Sequence, residues 1–74
     1  MAQISKILGH NINLIRLRRK MSQGDICRAI DMDRSYMSAI ESGKKNITIA
    51  MVEKLARALG VSADELLKKK INQK

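Results

Sequence analysis

Arg34, Ser35, Tyr36 and Ser38 lie close together in the segment DRSYMSAIESG. Their side chains suit contact with flat, hydrogen-bonding surfaces. An arginine offers a planar fork of donors that matches the O6 and N7 acceptors of guanine, and a good pair of that kind discriminates against a wrong base by about 1–3 kcal/mol. A serine hydroxyl both donates and accepts. Tyr36, the sole aromatic, can stack on a sugar, touch a thymine methyl or donate to a phosphate. Each residue also has a plainer reading. Arg34 could be a solvated arginine pairing with Asp31 or Asp33. Ser35 and Ser38 could meet a base, a phosphate or only water. Tyr36 could pack in the core if its hydroxyl found a partner. The choice depends on the elements that hold them.

The stretch Met21 to Gly43 reads as two short helices joined by a tight turn. Ser22 caps the first, and Asp25 completes a capping box, with Met21 and Ile26 as the hydrophobic staple. That helix ends near Ile30. Asp31 then stands at a turn position suited to a left-handed residue, which Asp tolerates. The next helix is capped by Asp33, stapled by Met32 and Met37, and stopped near Ser42 by Gly43. Apolar or small residues at Ile26, Cys27, Ile30, Met32, Met37 and Ile40 suit two helices that cross steeply. Arg34, Ser35 and Ser38 are left facing outward. This is the layout of a helix-turn-helix whose second helix enters a DNA major groove.

Three further helices complete the expectation. The first spans roughly residues 5–20, with Leu8, Ile12 and Ile15 at helical spacing. Arg18, Arg19 and Lys20 end it, where cations complement the helix dipole. A basic loop, Lys44-Lys45-Asn46, follows the outward helix. Thr48 caps the fourth helix, which carries Val52, Leu55, Ala56 and Leu59 on one face, is stapled by Ile47 and Val52, and stops at Gly60. The fifth opens with a second capping box, Ser62-Ala63-Asp64-Glu65, is stapled by Val61 and Leu66, and ends in Lys68-Lys69-Lys70. One entry device at four successive helices makes the pattern mutually consistent.

Composition bounds the function. Seventy-four residues make a single domain, residues 1–74, with a core over about 6–70. Such a chain buries only roughly 60% of its unfolded surface, which leaves little room for a deep catalytic cleft. Proline is absent and aliphatic residues must build the core, so the expected class is all-α. Fifteen Lys and Arg against seven acidic residues give a net charge of +8. That charge attracts polyanions, nucleic acid first and an anionic membrane surface second. A membrane-active amphipathic peptide needs one continuous apolar face, and Gly43, Gly60 and the repeated caps oppose that. The N-terminus lacks the pattern of a secretory signal, and no run is long enough to span a bilayer. Cys27 alone forms no internal disulfide and suits a reducing cytoplasm, as a small core residue. His10 and Cys27 are too few for a metal site. No catalytic constellation is evident, so neither an enzyme nor a cofactor is expected.

From roughly Leu8 to Leu67 the chain resembles the phage Cro/repressor-type helix-turn-helix domains. Through DRSYMSAIESGKKNIT it is most similar to the small controller proteins of restriction–modification systems. The resemblance rests jointly on Arg16, Gln23, Cys27, Ile40-Glu41 with Gly43, and Ala58-Leu59-Gly60-Val61-Ser62 leading to Glu65-Leu66-Leu67. It implies a compact five-helix, lambda-repressor-like domain that binds double-stranded DNA as a homodimer. It also implies a partly buried ion pair between Arg16 and Glu41, and a backbone phosphate bound by Gln23. The chain departs from the family pattern at Lys20 and Asp31, where glycine is usual, and at Ile47, where proline is common.

Within that frame Arg34, Ser35, Tyr36 and Ser38 are expected to contact bases. Gln23, Ser42, Lys44, Lys45 and Asn46 are expected to hold phosphates, which fix register without carrying sequence information. Val61, Leu66 and Leu67 are the expected dimer contacts, their alternative being closure of the monomer core. A dimer would read two half-sites about 34 Å apart. The expected function is transcription regulation at a short palindromic operator, by a controller or autoregulatory repressor that blocks or recruits RNA polymerase. The DNA-binding antitoxin of a toxin–antitoxin pair is the alternative that uses the same fold.

Overall fold

The computed structural model describes residues 2–68, with side chains from residue 4 onward. Five helices follow in order: α1 (Ala2–Arg18), α2 (Gln23–Ile30), α3 (Arg34–Glu41), α4 (Ile49–Leu59) and α5 (Ala63–Leu67). No strand occurs among the described residues. The fold is all-α, as composition and pattern implied. None of the helices is long and apolar enough to cross a membrane.

The caps form at three entrances. The Ser22 hydroxyl accepts from the Asp25 amide, and the Asp25 carboxylate accepts from the Ser22 amide, so both halves of the box are closed. Asp33 accepts from the Ser35 amide, and Thr48 from the Met51 amide. The fourth differs. The Ser62 hydroxyl accepts from no backbone amide of α5, so the second capping box is absent. Its hydroxyl bonds the Asp64 carboxylate instead and helps hold that group below its ordinary pKa. The five-residue α5 is held by tertiary contacts: Leu66 is fully buried, and Asn11 Nδ2 donates to the Leu66 and Lys68 carbonyls at 2.8 and 2.7 Å.

The exits of α1 to α4 share one geometry. In each, the amide beyond a left-handed residue reaches back five positions: Met21 to Arg16 O (3.1 Å), Met32 to Cys27 O (2.9 Å), Lys44 to Ala39 O (3.0 Å) and Val61 to Ala56 O (2.9 Å). This is the Schellman closure. Gly43 and Gly60 supply the left-handed residue after α3 and α4, while Lys20 (φ 57°) and Asp31 (φ 56°) supply it after α1 and α2. At Lys20 and Asp31 the residue type thus differs from glycine while the left-handed turn is kept. Lys20 is the terminator of α1 and not a member of it. The helix also starts earlier than residue 5, which its periodicity did not reveal.

Leu8, Ile12 and Ile15 of α1 meet Ile26, Cys27, Met37, Ile40, Val52, Leu55, Ala56, Leu59 and Leu66 in one aliphatic core. Leu66 lies in that core at 0% exposure, so its expected place in a dimer interface is corrected. Val61 is half-buried and Leu67 is 46% exposed. Of the expected terminal lysine run, Lys69 and Lys70 lie outside the described residues.

α1 packs on α3 at Gly9. A Cβ there would stand 2.2 Å from the Ile40 carbonyl oxygen and 2.8 Å from that of Glu41. Both obstacles are backbone, so neither can rotate away. An exposed helical glycine replaced by alanine gains about 0.5–1 kcal/mol. Here the sign reverses: Gly9→Ala is expected to destabilise by at least about 2 kcal/mol, lowering the melting temperature by about 10 °C. A thermal melt followed by circular dichroism checks it, and equal or raised stability contradicts the close approach.

Candidate nucleic-acid interface

The polar centre of the molecule is the Glu41 carboxylate at the end of α3. Arg16 Nε donates to Glu41 Oε2 at 2.7 Å, and Arg16 Nη2 to Oε1 at 3.1 Å. Their side chains are only 11% and 7% exposed. Arg16 Nη1 also donates to the Met21 carbonyl at 2.9 Å, which binds the α1–α2 corner to the same group. Asn13 Nδ2 (2.9 Å) and Gln23 Nε2 (3.2 Å) donate to Glu41 Oε1. Burial pushes the Glu41 carboxyl upward, but hydrogen bonds from Arg16, Asn13 and Gln23, with the Arg16 charge, outweigh it and hold the pKa below the ordinary value. The hydrogen bonds that Arg16 donates to Glu41 in turn raise the Arg16 pKa against the opposing effect of burial.

The network reaches the surface. Gln23 Oε1 accepts from Ser38 Oγ at 3.1 Å. Gln23 opens α2 and Ser38 sits mid-α3, so this bond joins the two helices of the motif on their outer side. Arg34, Ser35, Ser38 and Ser42 are exposed on α3. Arg34 pairs with neither Asp31 nor Asp33. The Ser35 hydroxyl donates to the Asp33 carboxylate that caps the helix. That bond, the Ser35 amide and the Tyr36 amide hold Asp33 below its usual pKa. Ser42 Oγ donates to the Ala39 carbonyl at 2.9 Å.

Tyr36 takes up the core reading in part. It is half-buried and packs against the core, while the Lys45 ammonium lies 5.8 Å from its ring centroid. That cation–π contact attaches the basic loop to α3. Lys44, Lys45 and Asn46 are exposed beside the helix. Asn46 Oδ1 accepts from the hydroxyl of buried Ser5 in α1, so the loop is anchored at both ends.

Sequence reasoning missed Asn13, Ser5, Asn11 and Gly9. A glycine inside a helical pattern signals close packing, and Asn11 beside Ile12 is a polar interruption of a core stripe. Asn13 and Ser5 carried no local signal. Cys27 is buried, and the described residues contain no group of three or more His, Cys, Asp or Glu able to hold a metal ion.

Two short helices at a left-handed corner, with a polar exposed second helix and a basic loop beside it, define a helix-turn-helix domain. The helix-turn-helix family model matches residues 12–66, and the chain belongs to that family. It is 41% identical over 61 residues to a hypothetical transcription factor from Neisseria meningitidis, an alignment covering 82% of this chain and 58% of that protein. The chain thus spans somewhat over half of that relative. It is 37% identical over 65 residues to the control protein C.BamHI of Bacillus amyloliquefaciens, covering 86% of this chain and 80% of the other. Its fold superposes with a TM-score of 0.75 and 32% identity on the restriction–modification controller protein C.Esp1396I, solved as a tetramer on its 35-base-pair operator, covering 88% and 96% of the two chains.

Removing the Glu41 carboxylate leaves the Arg16 guanidinium without its partner, and breaking a buried pair costs about 3–5 kcal/mol. Glu41→Ala is expected to lower the melting temperature by more than about 10 °C. The depressed Glu41 pKa means that its contribution is complete above the unfolded value of about 4.3 and is lost as pH falls through the folded value. Melts between neutral and strongly acidic pH should show a steeper acid loss in the wild type than in Glu41→Ala. An unchanged melting temperature contradicts the structural role of the pair.

Proposed function

We propose that the chain binds a short palindromic operator on double-stranded DNA as a homodimer and regulates transcription, as a restriction–modification controller or an autoregulatory phage-type repressor. The observation that carries this is Arg34: an exposed guanidinium, unpaired with its acidic neighbours, at the first turn of a rigidly held α3. That end of the recognition helix is the one that meets base edges. Arg34 takes a guanine, and Tyr36, Ser35 and Ser38 line the same face. Lys44, Lys45, Ser42 and Asn46 hold the flanking phosphates. Gln23 adds a phosphate contact through its backbone amide at the start of α2, where the unpaired amides and the helix dipole favour an anion.

A monomer reads too few base pairs for operator specificity, so two copies span both half-sites. Val61 and Leu67 are the surface residues offered to the second copy. The protein acts in the cytoplasm by occupancy and performs no catalysis. Bound at a promoter it blocks RNA polymerase, or from an upstream site recruits it.

The test is binding to duplexes selected from a random library. Wild-type affinity should fall steeply with salt, with a log–log slope of about −0.9 for each phosphate neutralised. Arg34→Ala should lose roughly tenfold or more in affinity for the selected site, and relax the preference at one guanine in each half-site. Equal binding to every duplex, or binding indifferent to salt, defeats the reading.

A further inference from the structure

The hydrogen-bond chain behind α3 has a fixed polarity. Glu41 is ionised and its oxygens only accept. Gln23 lies 3.2 Å from Glu41 Oε1, so it must turn its amide NH2 inward and its carbonyl outward. The usual ambiguity of a glutamine amide is therefore removed by chemistry. The Gln23 carbonyl also only accepts. Ser38 Oγ, 3.1 Å from it, must spend its single hydrogen on that bond. Only the oxygen lone pairs of Ser38 remain to face outward. Ser38 is exposed and lies one helical turn beyond Arg34, on the same face of α3.

We propose that Ser38 is a specificity-determining residue that acts as an acceptor alone, reading the exocyclic amino group of an adenine or cytosine in the major groove, with Glu41 and Gln23 as positioning residues that set its polarity. The proposal rests on the reading that α3 enters that groove. A free serine contacts donors and acceptors alike. This one must break its bond to Gln23 before it can donate to guanine O6 or thymine O4. The face then carries a complementary code, a donor fork at Arg34 and an acceptor at Ser38. The inward chain makes Ser38 selective even though its own side chain is ambivalent.

The experiment compares binding sites selected from a random duplex library by the wild type, Ser38→Ala and Gln23→Ala, each first checked for a cooperative melt. Ser38→Ala is expected to lose discrimination at one position per half-site. At that position the duplex is rebuilt with purine for adenine, or 2-pyrimidinone for cytosine, each lacking only the exocyclic amino group; whichever analogue applies identifies the base. Wild-type affinity should fall roughly threefold to tenfold, the worth of one hydrogen bond, and Ser38→Ala should be indifferent. Gln23→Ala frees the hydroxyl to rotate and should relax preference at the same position. Three results overturn the proposal: an unaltered site preference in Ser38→Ala, wild-type loss on removing the opposing carbonyl in place of the amino group, or full discrimination retained by Gln23→Ala. A library from which the wild type enriches nothing defeats the DNA-binding reading itself, and the proposal with it.

Discussion

One carboxylate organises the recognition face. Glu41 ends α3, yet it is held by Arg16 and Asn13 from α1 and by Gln23 from the start of α2. Arg16 also grips the Met21 carbonyl at the α1–α2 corner. Three helices thus share one acceptor, and its charge makes each hydrogen bond stronger than a neutral one. The apolar core could hold α2 and α3 together, but aliphatic contacts are non-directional and tolerate small rotations. Directed hydrogen bonds fix the angle of α3 about its own axis. That angle decides which residues look outward. Gly9 sets the complementary distance, since only a helix without a side chain there can lie against the Ile40 and Glu41 carbonyls.

The connections follow the same economy. Four helices end in a left-handed residue and a backward-reaching amide, so successive helices turn sharply without long loops. Glycine does this at least cost, because any Cβ crowds the following carbonyl. Lys20 and Asp31 adopt the conformation nonetheless, so the surrounding contacts compensate for their strain. For Lys20 the Arg16 bond to Met21 locks the turn from the inside. At Asp31 the half-buried Met32 packs against the core. The turn between α2 and α3 is thereby kept short, and the two helices keep their steep crossing.

Legibility in the sequence tracked the range of the interactions. Caps at Ser22, Asp33 and Thr48 and the left-handed exits at Asp31, Gly43 and Gly60 are decided within five or six residues, and the sequence pattern located each of them, while the exit at Lys20 was read as part of α1. The core stripe of α1 was equally plain in Leu8, Ile12 and Ile15. Failure began where a distant partner decided the outcome. Ser62 had the local pattern of a cap, yet it bonds Asp64, while α5 is held by Asn11 from the other end of the chain. Leu66 was equally compatible with a core and an interface until the packing placed it inside. The polarity of Ser38 depends on Gln23 at the start of α2 and Glu41 at the end of α3, which the packing of the helices, and not their spacing in sequence, brings together.

The charge balance gives the site its direction. Of seven acidic residues, Glu41 is enclosed by its donors, Asp25 closes a cap and pairs with Arg28, Asp33 caps α3, and Glu65 pairs with Lys68. Most negative charge is therefore committed to holding the fold. Arg34, Lys44 and Lys45 pair with none of these carboxylates, and they lie on or beside α3, where Ser35, Ser38 and Ser42 are also exposed. In the proposed reading, a polyanion attracted by the net charge of +8 meets a face that Glu41 has already oriented. In that reading attraction and discrimination fall to different groups: exposed lysines supply the first, and side chains fixed from within supply the second.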